Sequence, residues 1–296
     1  MTVTPRAARR AERRAERLTQ RRRPAWEDKP SAPGLAGKAV VLTVVLAVVL
    51  VPLYSIVLTS LSNQESVNIA GGMVLVPHGI TFSAYREIFA NQLVVHSLLV
   101  SLGIALVGTV LSMTVSVLCA YGLSRPGSFG HRTILLVLVV TMFFSGGIIP
   151  SFLVVAGLGG YGAYWSLILP GAVSVFNILV LRAFFTGTAQ ELVDAARIDG
   201  AGDWRTLWSV VMPTSRAVLA VITLFYAVGY WNTFFNALLY LPDNAKWPLQ
   251  MVIYTYTYRG NNLPGSGVTG IGQYAGHQAI APLSLQMAVV TITLVP

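Results

Sequence analysis

Residues 93–123 read LVVHSLLVSLGIALVGTVLSMTVSVLCAYGL, thirty-one consecutive positions without an Asp, Glu, Lys or Arg. A helix rises 1.5 Å per residue, and about 20 apolar residues cross a hydrocarbon layer roughly 30 Å thick. This stretch is long enough to span a membrane. Outward from it lie five further apolar runs, at 39–61, 133–156, 163–185, 215–239 and 281–296. The expectation is an all-α integral membrane protein with about six transmembrane helices. The last run is 16 residues long, below the roughly 17–25 that a span needs, so the chain reads as stopping inside its sixth helix. Composition agrees. Of 296 residues, 54% are hydrophobic and 10% charged, against about 25% charged in soluble domains. That excludes an ordinary soluble enzyme and a disordered chain. The single cysteine, Cys119, leaves no intrachain disulfide and no cysteine-based metal or redox centre.

Charge sets the expected orientation. Eleven of the 20 Lys and Arg fall in the first 38 residues, with Arg9, Arg10, Arg13, Arg14, Arg17, Arg21, Arg22 and Arg23 crowded together. Residues 1–37 read as a basic cytoplasmic tail that fixes topology. A second reading is contact with anionic lipid headgroups, each nearby Arg being attracted by about 1 kcal/mol. Nucleic-acid binding is disfavoured, because no stacking aromatics are interleaved with the arginines. The run at 39–61 exceeds the 7–15 residue core of a secretory signal, so it reads as an uncleaved first span. With the N-terminus cytoplasmic, the inner segments add Arg125, Arg132, Arg182, Arg197, Arg205 and Arg216 to the tail, while the outer ones hold Arg86, Lys246 and Arg259. Positive charge concentrates on the cytoplasmic side of membrane proteins, so this orientation is expected for the transmembrane body at 38–296. Two outer loops, 62–92 and 240–280, are long. The second carries Tyr240, Trp247, Tyr254, Tyr256, Tyr258 and Tyr274. Such residues form interfacial belts, but the alternation of Tyr254, Tyr256 and Tyr258 suits an extended, exposed segment that touches an extracytoplasmic partner.

The inner loop at 186–213 differs from the rest. It holds Glu191, Asp194, Asp199 and Asp203, four of the 11 acidic residues. Thr188 and Glu191 have capping-box spacing and predict a helix through about Ile198. Gly200 and Gly202 supply a turn, and Asp203 is placed to cap a second helix from Trp204. Trp204, Leu207, Trp208 and Val211 follow at i, i+3, i+4 and i+7, one helical face, and Pro213 ends the helix. Small side chains at Ala195 and Ala196 let another surface approach the backbone. The alternative is an amphipathic pair packed under the bundle.

At these residues a resemblance becomes specific. Asp194-Ala195-Ala196 is followed by three residues and Gly200, then by nine residues, Val210, Val211 and Met212-Pro213. The pattern resembles the cytoplasmic Glu-Ala-Ala motif in membrane subunits of importers of the ABC type, with Asp194, Val210 and Met212 as conservative departures. The run Ile198-Asp199-Gly200-Ala201 and the stretch Tyr230-Trp231-Asn232-Thr233-Phe234-Phe235 are similar to the carbohydrate branch, especially the second maltose permease and the oligosaccharide permeases. The resemblance covers about 38–296 and implies a type I ABC importer permease fold in a bacterial inner membrane. It implies a second permease subunit, cytoplasmic ATP-binding subunits and an extracytoplasmic solute-binding protein as partners. It further implies that Asp194, Ala195, Ala196, Asp199 and Gly200 dock an ATPase, with Glu191 as cap and Pro213 orienting the joint. The outer loop at 240–280 would reach towards the binding protein.

The chain carries no Gly-x-x-x-x-Gly-Lys-Ser/Thr loop, so ATP is expected on a separate subunit and no cofactor in this chain. His78, His96, His131 and His277 show no metal-ligand spacing, and Gly157-Leu158-Gly159-Gly160 is a turn rather than a phosphate loop. The expected spans lack charge apart from Arg182 and Arg216, both near inner ends, which argues against ion-coupled transport and suits a neutral sugar. Asn177, Trp231, Asn232 and Asn236 are candidates for the substrate path, with interhelical hydrogen bonding as the plainer role. The competing function is a membrane-anchored interaction or signalling subunit that holds an ATPase without moving solute.

Overall fold

The structure, a computed structural model, describes residues 32–77, 79–90, 92–125, 127, 130–144, 146–187, 190–258 and 282–294. Its regular elements are helices, with one isolated bridge between Ser62 and Ile80. The chain divides into two units at Tyr54. The first consists of most of helix α1 (Ala32–Ser60), whose apolar side chains are exposed on all sides. A helix apolar all round belongs in lipid or in a core.

In the second unit, the end of α1 anchors the segment that follows. The Thr59 hydroxyl donates to the Ser55 carbonyl at 2.7 Å and accepts from the Val74 amide at 2.8 Å, while Ser60 and Tyr85 share a hydrogen bond of 2.8 Å. The expected outer loop at 62–92 thus contains two helices, α2 (Gln64–Ala70) and α3 (Ser83–Ala90). Asn63 caps α2 by accepting from the Ser66 amide. Helix α4 (Gln92–Ser124) matches the run expected at 93–123 to within one residue at each end and is long and apolar enough to cross a membrane. Ser97, Ser101, Ser112 and Ser116 line its buried face.

Three expected spans are not single helices. The run at 133–156 divides into α5 (His131–Phe143) and α6 (Ile148–Gly157), bent by 117°. Gly147, at φ +80°, takes a backbone conformation that a side chain disfavours. The run at 163–185 divides into α7 (Trp165–Gly171) and α8 (Val175–Gly187), bent by 49°. Pro170 has no N–H to give, and the last turn of α7 tightens to a 3₁₀ form. The run at 215–239 becomes α11 (Arg216–Trp231) and α12 (Phe234–Tyr240). There the Asn232 amide donates to the Val228 carbonyl and the Thr233 hydroxyl to the Tyr230 carbonyl, side-chain bonds that compete with a continuing helix. Among the described residues two helices, α1 and α4, are long and apolar enough to cross a membrane, or up to five if the bent pairs α5–α6, α7–α8 and 203–214 with α11 each count as one span. The final apolar helix, α14 (Pro282–Leu294), is shorter.

The alternating tyrosines are corrected outright. Tyr254, Tyr256 and Tyr258 lie in a helix, α13 (Leu249–Tyr258). Leu249, Val252 and Thr255, spaced by three, are buried, and Leu249 and Val252 pack with Leu285, Ala288 and Val289 of α14. Three alternating positions fit either period, and packing selects the helical one. Nor are Tyr240 and Trp247 an exposed belt. Both are buried, and the Trp247 indole donates to the Leu241 carbonyl at 3.0 Å. Lys246 donates to the Gly162 carbonyl at 2.7 Å, fastening this segment to the turn after α6. The rest of the loop, and residues 1–31 of the basic tail, lie outside the described residues, while residues 32–37, expected in the tail, already belong to α1.

Candidate functional site

The 186–213 segment forms the helix–turn–helix expected of it, with corrections in detail. Helix α9 (Gln190–Ile198) ends in a Schellman turn. The Ala201 amide donates to the Ala196 carbonyl at 2.9 Å, and the Gly200 amide to the Arg197 carbonyl at 3.0 Å. Gly200 sits at φ +79°, the left-handed geometry that this cap requires. Thr188 and the Glu191 side chain, the expected capping box, lie outside the described atoms.

The second helix, α10 (Asp203–Thr214), begins one residue earlier than expected. Its N-cap is Gly202, so Asp203 is a first-turn residue rather than the cap. Its carboxylate lies 3.6 Å from Arg197, and an acid in the first turn also meets the positive end of the helix dipole. Pro213 does not end α10. The helix runs through it to Thr214, then bends by 86° into α11. The expected single apolar face is split. Leu207 and Val211 are buried at 1% exposure, whereas Trp204 and Trp208 are 64% and 58% exposed and meet edge to face at 6.4 Å. A π-helical turn over Leu207–Val211 shifts the phase and, with it, the side chains that follow.

What holds the segment is a contact that the sequence did not announce. The Tyr121 hydroxyl, at the end of α4, donates to the Asp203 backbone carbonyl at 2.9 Å. Arg125 donates to the same hydroxyl at 2.5 Å, with its guanidinium 4.6 Å from the ring centre. These residues, with Val193, Asp194, Arg197 and Val211, line a cleft of about 450 Å³ between the end of α4 and the segment.

The outer surface of the segment is uncovered. Asp194, Ala195, Asp199 and Gly200 are exposed, and Ala196 is half-buried. Around them stand Leu192, 52% exposed, Ile198, 88% exposed, and the tryptophan pair. An apolar patch with acidic and small residues at its centre has the form of a docking surface.

The residues proposed for a substrate path are separate from this surface. Asn177 is buried on α8. Trp231 is buried, and its indole donates to the Thr293 carbonyl of α14 at 3.1 Å, the interhelical role weighed for it. Asn232 is exposed at the break after α11, and Asn236 is half-buried on α12.

Comparison with known proteins follows the same line. The chain is 39% identical over 83% of its length to the polygalacturonan/rhamnogalacturonan transport system permease protein YtcP of Bacillus subtilis, covering 84% of that protein. It is 37% identical over 75% of its length to the protein LplC of the same organism, covering 74% of it. It is 29% identical over 74% of its length to the trehalose transport system permease protein SugB of Mycobacterium tuberculosis, covering 80% of it. Among solved structures, a chain of a bacterial ABC transporter involved in the import of the acidic polysaccharide alginate superposes with a TM-score of 0.81 at 28% identity, over 93% of this chain and 95% of that one. No protein-family profile matches the chain.

Proposed function

The chain belongs to the permease subunits of carbohydrate ABC importers, and from that premise we propose that it forms half of a heterodimeric translocation path for an oligosaccharide, driven by an ATPase docked at 186–213. The observation that carries the coupling role is the exposed turn at Gly200, flanked by Asp194, Ala195, Ala196 and Asp199. A surface that leaves Ile198 and two tryptophans uncovered costs apolar burial until a partner covers it. Pro213 lies just before the 86° bend into α11, where movement of the segment passes directly to a spanning helix, and Glu191 belongs to the first turn of α9. ATP is bound and hydrolysed by the docked subunit. ATP binding closes the ATPase dimer and rocks the permease bundles as rigid bodies, so the path alternates between the two faces of the inner membrane. In this reading the N-terminus and the 186–213 segment are cytoplasmic, six spans cross the bilayer, and a solute-binding protein delivers cargo on the other face. Asn177, Trp231, Asn232 and Asn236 are the polar positions proposed along the path.

The experiment is a pull-down of tagged chain in mild detergent, wild type against Gly200→Arg. A side chain at positive φ unmakes the turn, so the variant should lose the ATPase while keeping the partner permease. Wild type without an ATPase would overturn the reading and leave an interaction subunit in its place. Uptake of labelled trigalacturonate and maltotriose by cells with and without the gene assigns the cargo to the acidic or the neutral class.

A further inference from the structure

The break between α7 and α8 frees two backbone groups inside the apolar body of the protein. In a continuous helix the Ala172 amide would donate to the Ile168 carbonyl, but it turns to Leu169 at 3.1 Å. The Ser174 amide would have reached the carbonyl of Pro170, and the bend prevents it. Both groups are taken by tyrosines of α11, one helical turn apart. The Tyr230 hydroxyl donates to the Ile168 carbonyl at 2.9 Å, and the Tyr226 hydroxyl accepts from the Ser174 amide at 3.3 Å. Each tyrosine also bonds a serine of α4, again one turn apart: Ser112 to Tyr230 at 2.8 Å and Ser116 to Tyr226 at 2.7 Å. A tyrosine has one O–H. Since that of Tyr230 is committed to Ile168, Ser112 must donate to Tyr230. All four side chains are buried. Gly108 makes room, since a Cβ there would lie 2.8 Å from the Tyr230 ring.

The position of this ladder matters more than its strength. Helix α8 leads into the 186–213 segment and α11 leads out of it. The Tyr226–Ser174 rung joins α11 to the start of α8 roughly 15–20 Å beyond the segment, at 1.5 Å per residue, and the Tyr230 rung holds Ile168 of α7 one turn further on. We propose that Tyr226 and Tyr230 are positioning residues for transport, tying α11 to Ile168 on α7 and to Ser174 at the start of α8, so that a displacement delivered at the 186–213 segment moves α8 and α11 as one body. The inference rests on the coupling role proposed for that segment. The helix break supplies backbone groups that have lost their α-helical partners, which straight helices would not offer, and the tyrosines use them as attachment points.

The test uses the full complex with partner permease and ATPase, carrying Cys119→Ser and spin labels at Phe184→Cys on α8 and Leu224→Cys on α11, both exposed positions. Distances are read by pulsed electron resonance without nucleotide and after trapping with ATP and vanadate. With the tyrosines intact, one α8–α11 separation should persist through both states. In Tyr226→Phe/Tyr230→Phe, ATP should split the distribution, raising the separated population roughly tenfold, the ratio that corresponds to about 1.4 kcal/mol, while ATP hydrolysis continues. A single unchanged separation in a double variant that hydrolyses ATP overturns the ladder and leaves the coupling role standing. If the complex with intact tyrosines captures no ATPase, the coupling role fails and the ladder falls with it. Should the double variant not assemble, Tyr226→Phe alone is measured in the same way, and an unsplit distribution under ATP overturns the proposal.

Discussion

The tyrosine ladder and the 186–213 segment stand at opposite ends of the same two helices and are built in opposite ways. In the ladder, four polar side chains are buried and each hydroxyl is bonded. In the segment, apolar side chains are exposed, Ile198 at 88%, and the ion pair that links its two helices, Arg197 with Asp203, is itself solvent-exposed. The contrast follows from what surrounds each region. Away from water, a polar group must find its partner within the protein or cost several kcal/mol, so a helix break survives there only where side chains complete it. The segment is under no such demand and leaves surface for another subunit. Internal completeness marks the part that keeps its shape, and incompleteness marks the part that binds.

Adjacent residues in α10 offer the hardest way to break this comparison. Leu207 is 1% exposed and Trp208 is 58% exposed. Leu207→Ala opens a cavity and should destabilise the chain by about 2–5 kcal/mol, visible as a lower thermal midpoint in detergent. Trp208→Ala should stay within about 0.5 kcal/mol of wild type and yet capture less ATPase. Equal losses of stability would mean that the exposed tryptophan is held by the fold itself. Gly108→Val tests the other region. Its β-carbon would lie 2.8 Å from the Tyr230 ring, and overpacking of this kind costs about 1–3 kcal/mol. The thermal midpoint should fall while ATPase capture persists in the folded fraction, the reverse of the Trp208 variant. Loss of capture together with an unchanged midpoint would erase the division between the two regions.

The two regions also differed in how far the sequence disclosed them. The turn at Gly200 was legible because it is local: one glycine between polar neighbours fixes a helix end, and the spacing from Asp194 to Pro213 marks the surface around it. Helix α4 was legible because 93–123 has no charge to interrupt it. The bends in 133–156 and 163–185 escaped because hydropathy records apolar content, not direction, although Pro170 and Gly147 were visible inside those runs. The π turn at Leu207 escaped because its phase is set where Val211 packs into the core, a contact between distant parts of the chain. The ladder left a fainter trace, in Ser112 with Ser116 and Tyr226 with Tyr230, each pair four apart. Each pair reads as a stripe, and their partnership exists only once α4 and α11 lie side by side.

The smallest effect expected concerns the joint between α9 and α10. Arg197 and Asp203 are 3.6 Å apart, with side chains 51% and 74% exposed. Exposed pairs contribute about 0–1 kcal/mol and are screened by salt. Tyr121, by contrast, holds the Asp203 carbonyl rather than its carboxylate, so Asp203→Asn removes the ion pair and spares that anchor. A double-mutant cycle of Arg197→Gln and Asp203→Asn should therefore give a coupling of at most about 1 kcal/mol at low salt, vanishing near 1 M, where the screening length is about 3 Å. Tyr121→Phe should cost more than either single variant, since it removes the hydrogen bond that Arg125 makes to the hydroxyl and leaves the Asp203 carbonyl with the Leu207 amide but without its tie to α4. A coupling well above 1 kcal/mol that resists salt would show the segment to be closed on itself before any partner arrives. The contrast between a completed ladder and an open docking surface would then be one of degree.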